Sequence, residues 1–185
     1  MPRIPFAKRD DVAQQERSAY DAFVKDRGVV PESGPYALLL RMPEVARRLE
    51  ALRLCLRDEP SVPQKVQELV MITVAREMDC AYIWYAHAAA ARGIGVAGGI
   101  VDAIREKRTP DGLAEDEQSA VEFTQELLRG RKVSKATFDR ASKSFGQRGA
   151  MALTTLVGCY AVLAYFMNAY ELEAPRHATE PPLPV

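Results

Sequence analysis

The chain has 185 residues, which is enough for one domain or two small ones. Apolar residues make up 48% of the chain and charged residues 27%, and this balance excludes a wholly disordered protein, a collagen and a disulfide miniprotein. The 25 basic residues equal the 25 acidic ones, so the basic surplus that a general nucleic-acid binder needs is missing. We therefore expect no nucleic acid among the partners.

The cysteines and histidines are few and widely spaced. Cys55, Cys80 and Cys159 are odd in number and form no close pair, which is not typical of a secreted disulfide framework. The N-terminal residues show no secretory signal, so we expect a cytoplasmic protein with free thiols. The chain has only two histidines, His87 and His177, too few for a multi-histidine site, and no glycine-rich loop follows a strand. We expect neither a metal nor a cofactor.

Helical periodicity dominates the chain, and no strand-like alternation extends over a long window, so the sequence predicts an all-α fold. Ser61 and Asp79 are the expected N-caps of the third and fourth helices, and Pro43 is expected to kink or restart the second. The predicted helices lie at about 11–25, 36–57, 62–78, 80–92, 96–107, 115–129, 134–145 and 149–172.

The last predicted helix has no charge between Arg148 and Glu171, a stretch long enough to cross a bilayer. Its threonines, asparagine and tyrosines instead favour a buried core helix or a subunit interface. We therefore expect no membrane partner. The residues beyond this helix, from 174 to 185, are rich in proline and predict a disordered tail, which includes His177.

One face of the fourth predicted helix collects four notable residues. Cys80, Ile83, Trp84 and His87 fall at positions i, i+3, i+4 and i+7, which share a face over two turns. At the start of a helix, unpaired backbone N–H groups favour a thiolate, so Cys80 is a candidate nucleophile or peroxide-reactive thiol. Glu68, on the preceding helix, reaches this face if the two helices pack antiparallel.

These positions suggest a site in which Glu68 relays a proton through His87 while Tyr82 and Trp84 wall the pocket. Each residue also has a purely structural explanation. The cysteine and the tryptophan are often core residues, and a lone helical histidine is more often a satisfied core residue than a catalyst. Glu68 also has Arg76 and Lys65 within reach as ion-pair partners.

The same residues resemble the carboxymuconolactone decarboxylase and alkylhydroperoxidase D (AhpD) superfamily. The peroxidase branch has a glutamate, eleven residues, Cys-x-x-Cys, three residues and a histidine, and Glu68, Cys80, Ile83 and His87 stand at those positions. Because Ile83 replaces the second cysteine, the two-cysteine disulfide cycle of that branch is not possible here. The resemblance leaves open which of the family's two cysteines attacks the peroxide.

The resemblance extends to the decarboxylase-like branch, in which many members have Tyr-Glu-Trp, two residues and a histidine. Here Tyr82, Trp84 and His87 match, and Ile83 replaces the glutamate. The match covers residues from about 35 to 172, and the closing helix resembles that of the same branch. It implies an N-terminal helix and linker over 1–34 and a single-domain bundle of about seven helices over 35–173.

The resemblance implies a small-molecule lyase or decarboxylase-like enzyme that acts on a compact carboxylate or lactone. Glu68 and His87 would have acid–base roles there, and Tyr82, Ile83 and Trp84 would line the substrate pocket. Arg76 and Arg92 are the nearby candidates for binding a carboxylate.

Two alternatives remain: a one-cysteine peroxidase that uses Cys80, and a non-catalytic binding protein. The family forms ring-shaped homo-oligomers, so we also expect this chain to form a homo-oligomer, as a dimer, trimer or hexamer.

Overall fold

The structure is a computed structural model, and it describes residues 2–174 and 178–184. Within those residues it contains eight α-helices and no strand, which confirms the predicted all-α class. Two short 3-10 turns, Arg9–Asp11 and Gln14–Glu16, precede the first helix. The helices are α1 (Arg17–Arg27), α2 (Gly34–Leu39), α3 (Pro43–Arg57), α4 (Gln64–Glu77), α5 (Ala81–Gly93), α6 (Gly98–Arg105), α7 (Glu115–Gly130) and α8 (Lys135–Ala169).

Helix α4 lies at the centre of the bundle. Every residue from Val66 to Arg76 is buried, because the sequence of α4 is apolar on several sides and α5, α6, α7 and α8 pack around it. Each fully buried aliphatic side chain of such a helix stabilises the fold by roughly 1.5–3 kcal/mol. A polar residue within this buried stretch therefore lies inside the protein, and Glu68 is one of them.

The caps on either side of α4 differ from those predicted. The side chain of Ser61 bonds to Glu59, and Pro63 is the N-cap residue, so α4 begins at Gln64, two residues later than predicted. Asp79 is not the cap of α5: it takes a left-handed conformation with φ of 48° in the tight turn, and Cys80 is the N-cap residue. The turn is two residues longer than predicted, because α4 ends at Glu77 and α5 begins at Ala81, and Cys80 lies at the boundary of α5.

The second predicted helix is two helices in the structure. Helix α2 ends at Leu39 and α3 begins at Pro43, whose ring and missing N–H allow a helix start but not a continuous helix. Gly34, at the start of α2, has φ of 76°, and the ring of Tyr82 occupies the space that a Cβ atom would need. This close approach fixes α2 against the helix that carries the candidate site.

Helix α8 is interrupted at Gly146, whose φ of 69° and ψ of 176° are not helical. The predicted break between residues 145 and 149 is thus confirmed. By length and composition, α8 is the one helix in the described part of the chain that is apolar enough to cross a membrane. Half of its most apolar window is buried inside the protein, as in the core helix of a bundle.

The described part of the C-terminal segment, residues 178–184, contacts α5. The indole nitrogen of Trp84 donates a hydrogen bond of 2.9 Å to the carbonyl oxygen of Pro181, and Arg92 pairs with Glu180. The sequence predicts a disordered tail here, and the structure instead shows these specific contacts. His177 and the rest of 175–177 lie outside the described residues.

Candidate active site

Glu68 and His87 form a hydrogen-bonded pair where α4 and α5 face each other. The two helices make a hairpin across the turn at Asp79, and this brings Oε2 of Glu68 to 2.8 Å from Nδ1 of His87. The two side chains are only 11% and 22% exposed. Because the carboxylate accepts the proton on Nδ1, the free nitrogen of the neutral ring is Nε2, which can act as a base.

A cavity of about 110 Å³ opens next to this pair. Four helices contribute to it: α3, α4, α5 and α8. Its size suits a compact molecule rather than a large one. The lining side chains are Arg53, Arg57, Gln64, Gln67, Glu68, Met71, His87, Leu156 and Tyr160.

Arg53 places a fixed positive charge at the cavity. Its Nε and Nη2 atoms donate bonds of 2.7 Å and 2.9 Å to the two carboxylate oxygens of Glu50, which also accepts a bond from Arg27. The hydrogen bonds to Glu50 raise the pKa of Arg53 above its ordinary value, although burial opposes this. The guanidinium is therefore charged at every relevant pH and is held in a rigid fork.

Tyr160, on α8, completes the polar wall of the cavity. Its ring meets the ring of His87 edge to face, with centroids 5.1 Å apart and an interplanar angle of 82°. Burial raises the pKa of Tyr160, and the neighbouring Arg53 only partly offsets this effect. Its hydroxyl therefore stays protonated and can donate a hydrogen bond to a bound ligand, while the ring contact orients the imidazole.

Cys80 lies in a different environment from the one that the sequence predicts. The thiol is fully buried, and burial raises its pKa although the backbone N–H groups of Ile83 and Tyr82 act in the opposite direction. Loss of solvation thus outweighs the helix N–H groups that, on the sequence alone, favour a thiolate. Cys159 is also buried with a raised pKa, and Cys55 is exposed.

The three residues predicted to line the pocket do not line the cavity beside Glu68. Tyr82 packs over Gly34, Ile83 is buried in the core, and the indole of Trp84 faces Pro181. The three side chains meet different neighbours because α2, α4, α6 and the C-terminal segment all contact α5. Helical spacing alone does not show which of these neighbours each side chain meets.

The expected carboxylate-binding arginines have other partners. Arg76 pairs with Asp79, and Arg92 pairs with both Asp102 and Glu180. Lys65, the other suggested partner of Glu68, pairs with Glu117 instead. The cation at the cavity comes from α3, which sequence reasoning did not connect with the candidate site.

A model of the carboxymuconolactone decarboxylase family matches residues 43–126, a range that contains α4, α5 and the residues Glu68, Cys80 and His87. Solved structures of AhpD-like proteins have the same fold as this chain. The chain is therefore similar to the carboxymuconolactone decarboxylase family over these residues, and it has the fold of AhpD-like proteins. The resemblance in the sequence is thus confirmed, and so is the single helical domain.

Two of the similar structures are uncharacterized peroxidase-related proteins. One, an AhpD core from Ralstonia eutropha JMP134, is 15% identical with a TM-score of 0.72, over 95% of this chain and 93% of that one. The other, from Silicibacter sp. TM1040, is 15% identical with a TM-score of 0.69, over 90% of this chain and 87% of that one. At this identity the likeness shows the fold alone.

A third similar structure is the debrominase Bmp8, solved in complex with 2,3,4-tribromopyrrole. It is 17% identical to this chain with a TM-score of 0.71, over 94% of this chain and 91% of that one. No curated protein matches the chain in sequence. The similar structures are thus named for different activities, as a debrominase and as peroxidase-related proteins. The choice between activities depends on the residues of this chain.

Proposed function

We propose that this protein is a small-molecule lyase of the decarboxylase-like kind and that the cavity beside Glu68 and His87 is its active site. The observation that carries the proposal is the 2.8 Å bond between Glu68 and His87 at a cavity that also contains the guanidinium of Arg53. A base, the carboxylate that orients it and a cation for an anionic ligand meet in one place. The substrate class is a compact carboxylate or lactone.

The arrangement supports a simple division of roles. Nε2 of His87 removes a proton from carbon next to a carbonyl, or in its protonated form delivers one to the carbanion that remains after CO₂ leaves. Glu68 fixes the tautomer and stabilises the imidazolium that forms. Arg53 and the hydroxyl of Tyr160 interact with the oxygen on which negative charge accumulates. In the decarboxylation, the electron pair of the broken C–C bond passes into the conjugated carbonyl, and the proton replaces the lost CO₂.

The one-cysteine peroxidase is the second candidate. It is supported by the spacing of Glu68, Cys80 and His87 and by the peroxidase-related names of similar structures. It is disfavoured by the burial of Cys80 and by the raised pKa of its thiol, because the thiolate is the form that attacks a peroxide. A non-catalytic binding protein is the third candidate and would use the same cavity without His87 acting as a base.

The test uses 5-oxotetrahydrofuran-2-carboxylate, a compact γ-lactone that bears a carboxylate. In D₂O, proton transfer by the site exchanges the hydrogens next to the lactone carbonyl for deuterium, and ¹H NMR follows this loss of signal. We expect exchange with the wild-type protein, a loss of about 10²-fold or more in His87→Ala, and no loss in the matched control His177→Ala.

Three other outcomes would each contradict a different part of the proposal. Binding of the lactone without exchange contradicts the lyase and supports the binding protein. If the lactone neither binds nor exchanges, the proposed substrate class is contradicted. Equal exchange in wild type and His87→Ala contradicts the proposed base.

We also propose that the chain forms a homo-oligomer through the second half of α8. One face of this charge-free stretch leaves apolar side chains in solvent, and Met151 and Tyr165 are 71% and 70% exposed there, with Val162 between them. A face of this kind is typical of a subunit interface. Sedimentation velocity tests the proposal, because Val162→Glu should reduce the mass of the particle while Thr179→Glu should not.

A further inference from the structure

Residues 178–184 make a set of specific contacts with α5, on a part of the helix that does not line the cavity. The indole Nε1 of Trp84 donates to the carbonyl oxygen of Pro181 at 2.9 Å, and Nε of Arg92 donates to Glu180 at 3.0 Å. The side chain of Leu183 packs against the hydrophobic core. Three of four consecutive residues of this segment therefore contact the body of the protein.

The chemistry of the segment matches the surface that it contacts. Pro181 and Pro182 have no N–H, so an extended segment that contains them offers carbonyl acceptors and no donors at those positions. The indole N–H of Trp84 is only a donor, and it bonds to one of those carbonyls. Grooves lined with aromatic side chains bind proline-rich segments in this way, since the stiff segment loses little entropy when it docks.

The ion pair adds selectivity for an acidic residue. Arg92 is held from the other side by Asp102 of α6, with 2.7 Å between its Nη2 and the carboxylate, which leaves Nε directed at Glu180. The side chain of Glu180 is only 9% exposed although it is a carboxylate near the chain end. The ion pair between Arg92 and Asp102 does not involve the segment, so this half of the groove exists without it.

We infer that the groove between α5 and α6 is a docking site for an extended proline-rich segment with an acidic residue immediately before a Pro-Pro pair. Residues 178–184 of the same chain occupy it in cis, as a strap across α5. The strap covers Trp84, which lies one turn before His87 on the same helix. Release of the strap exposes Trp84 and frees the groove for another segment of the same chemistry. This inference does not depend on the proposed lyase activity.

Trp84 is the single tryptophan of the chain, so its fluorescence measures the occupancy of the groove directly. The test uses the full-length protein and compares Glu180→Gln with a matched control, Glu171→Gln, which removes a surface ion pair with Arg3. We expect stronger acrylamide quenching and a red-shifted emission in Glu180→Gln and no change in Glu171→Gln. Unchanged far-UV circular dichroism shows that the fold is kept.

A synthetic peptide, Ala-Thr-Glu-Pro-Pro-Leu-Pro-Val, extends the test. Added to the double variant Glu180→Gln/Leu183→Gln, it should restore the protection of Trp84, and the same peptide with Gln for Glu should bind about tenfold more weakly. Trp84 that stays shielded in the double variant without peptide overturns the inference. Protection of wild-type Trp84 that is lost on dilution overturns the cis assignment, because the segment then comes from a second copy.

Discussion

The two ends of one face of α5 both follow the helical spacing of the sequence motif, but one end is buried in the core and the other borders a cavity. At the first end, Cys80 is fully buried and its pKa is raised by burial. Two turns later, His87 bonds to Glu68 and borders an open cavity with a guanidinium and a phenol. A motif therefore brings groups onto one side of a helix, but the segments that pack against each end decide which group can act.

The difference has a physical cause in what surrounds each end. The backbone of Cys80 is tied into the turn by a bond of 2.8 Å from its N–H to the carbonyl of Ala75, and its side chain lies in the core. Around His87, α3 and α8 contribute Arg53 and Tyr160. Acid–base chemistry is supported at the second end, and thiolate chemistry is disfavoured at the first.

The largest effect that we expect tests the His87 end. Glu68→Gln keeps the size of the side chain but removes the carboxylate that fixes the tautomer of His87, and we expect the lactone exchange rate to fall by about 10²–10³-fold. The control is Glu59→Gln, because Glu59 pairs with Arg148 and does not line the cavity. If Glu68→Gln exchanges at the wild-type rate, the carboxylate has no role in the proposed chemistry.

The next effect tests the Cys80 end. Iodoacetamide should alkylate Cys80 at least about 100-fold more slowly than the exposed Cys55 in the native protein, because the thiol must be exposed before it reacts. In denaturant, the two rates should become similar. Mass spectrometry of the labelled peptides measures both rates. Rapid labelling of native Cys80 would remove the contrast between the two ends of α5 and would favour the peroxidase.

A smaller effect distinguishes the two arginines of the cavity. Arg53 is partly buried and held by Glu50, so Arg53→Gln should weaken binding of the lactone carboxylate by about tenfold, as measured by calorimetry. Arg57 is exposed and pairs with Asp58 in solvent, so Arg57→Gln should change binding by about threefold at most. Equal losses in the two variants would show that the cavity attracts the anion by general charge rather than through a fixed guanidinium.

These contrasts show how far the sequence alone can predict the site. The apolar pattern of α4 and the short turn after it sufficed to place Glu68 beside His87. The sequence did not identify Arg53, since its helix contacts the site only through tertiary packing. It also did not show that Cys80 is buried, because local reasoning includes the helix N–H groups but not the loss of solvent. Nor did it show that Tyr82 packs against α2 and that Trp84 packs against the C-terminal segment, because both contacts are tertiary.

The smallest effect that we expect concerns the free energy of unfolding at alkaline pH, to which the contribution of Cys80 should fall as pH rises. The pKa of Cys80 is raised above its ordinary 9.0 in the folded protein, so above about pH 9 the unfolded chain loses this proton first. Ionisation then favours the unfolded state, and the contribution of Cys80 to the free energy of unfolding falls as pH rises toward its folded pKa.

Cys80→Ala should therefore reduce the decline in melting temperature between pH 8 and pH 10, while the exposed control Cys55→Ala should leave it unchanged. The raised pKa values of Tyr36 and Tyr160 leave a remaining decline in both variants. An identical decline in wild type and Cys80→Ala would mean that the thiol is solvated in the folded protein. The two ends of α5 would then differ less than the structure indicates.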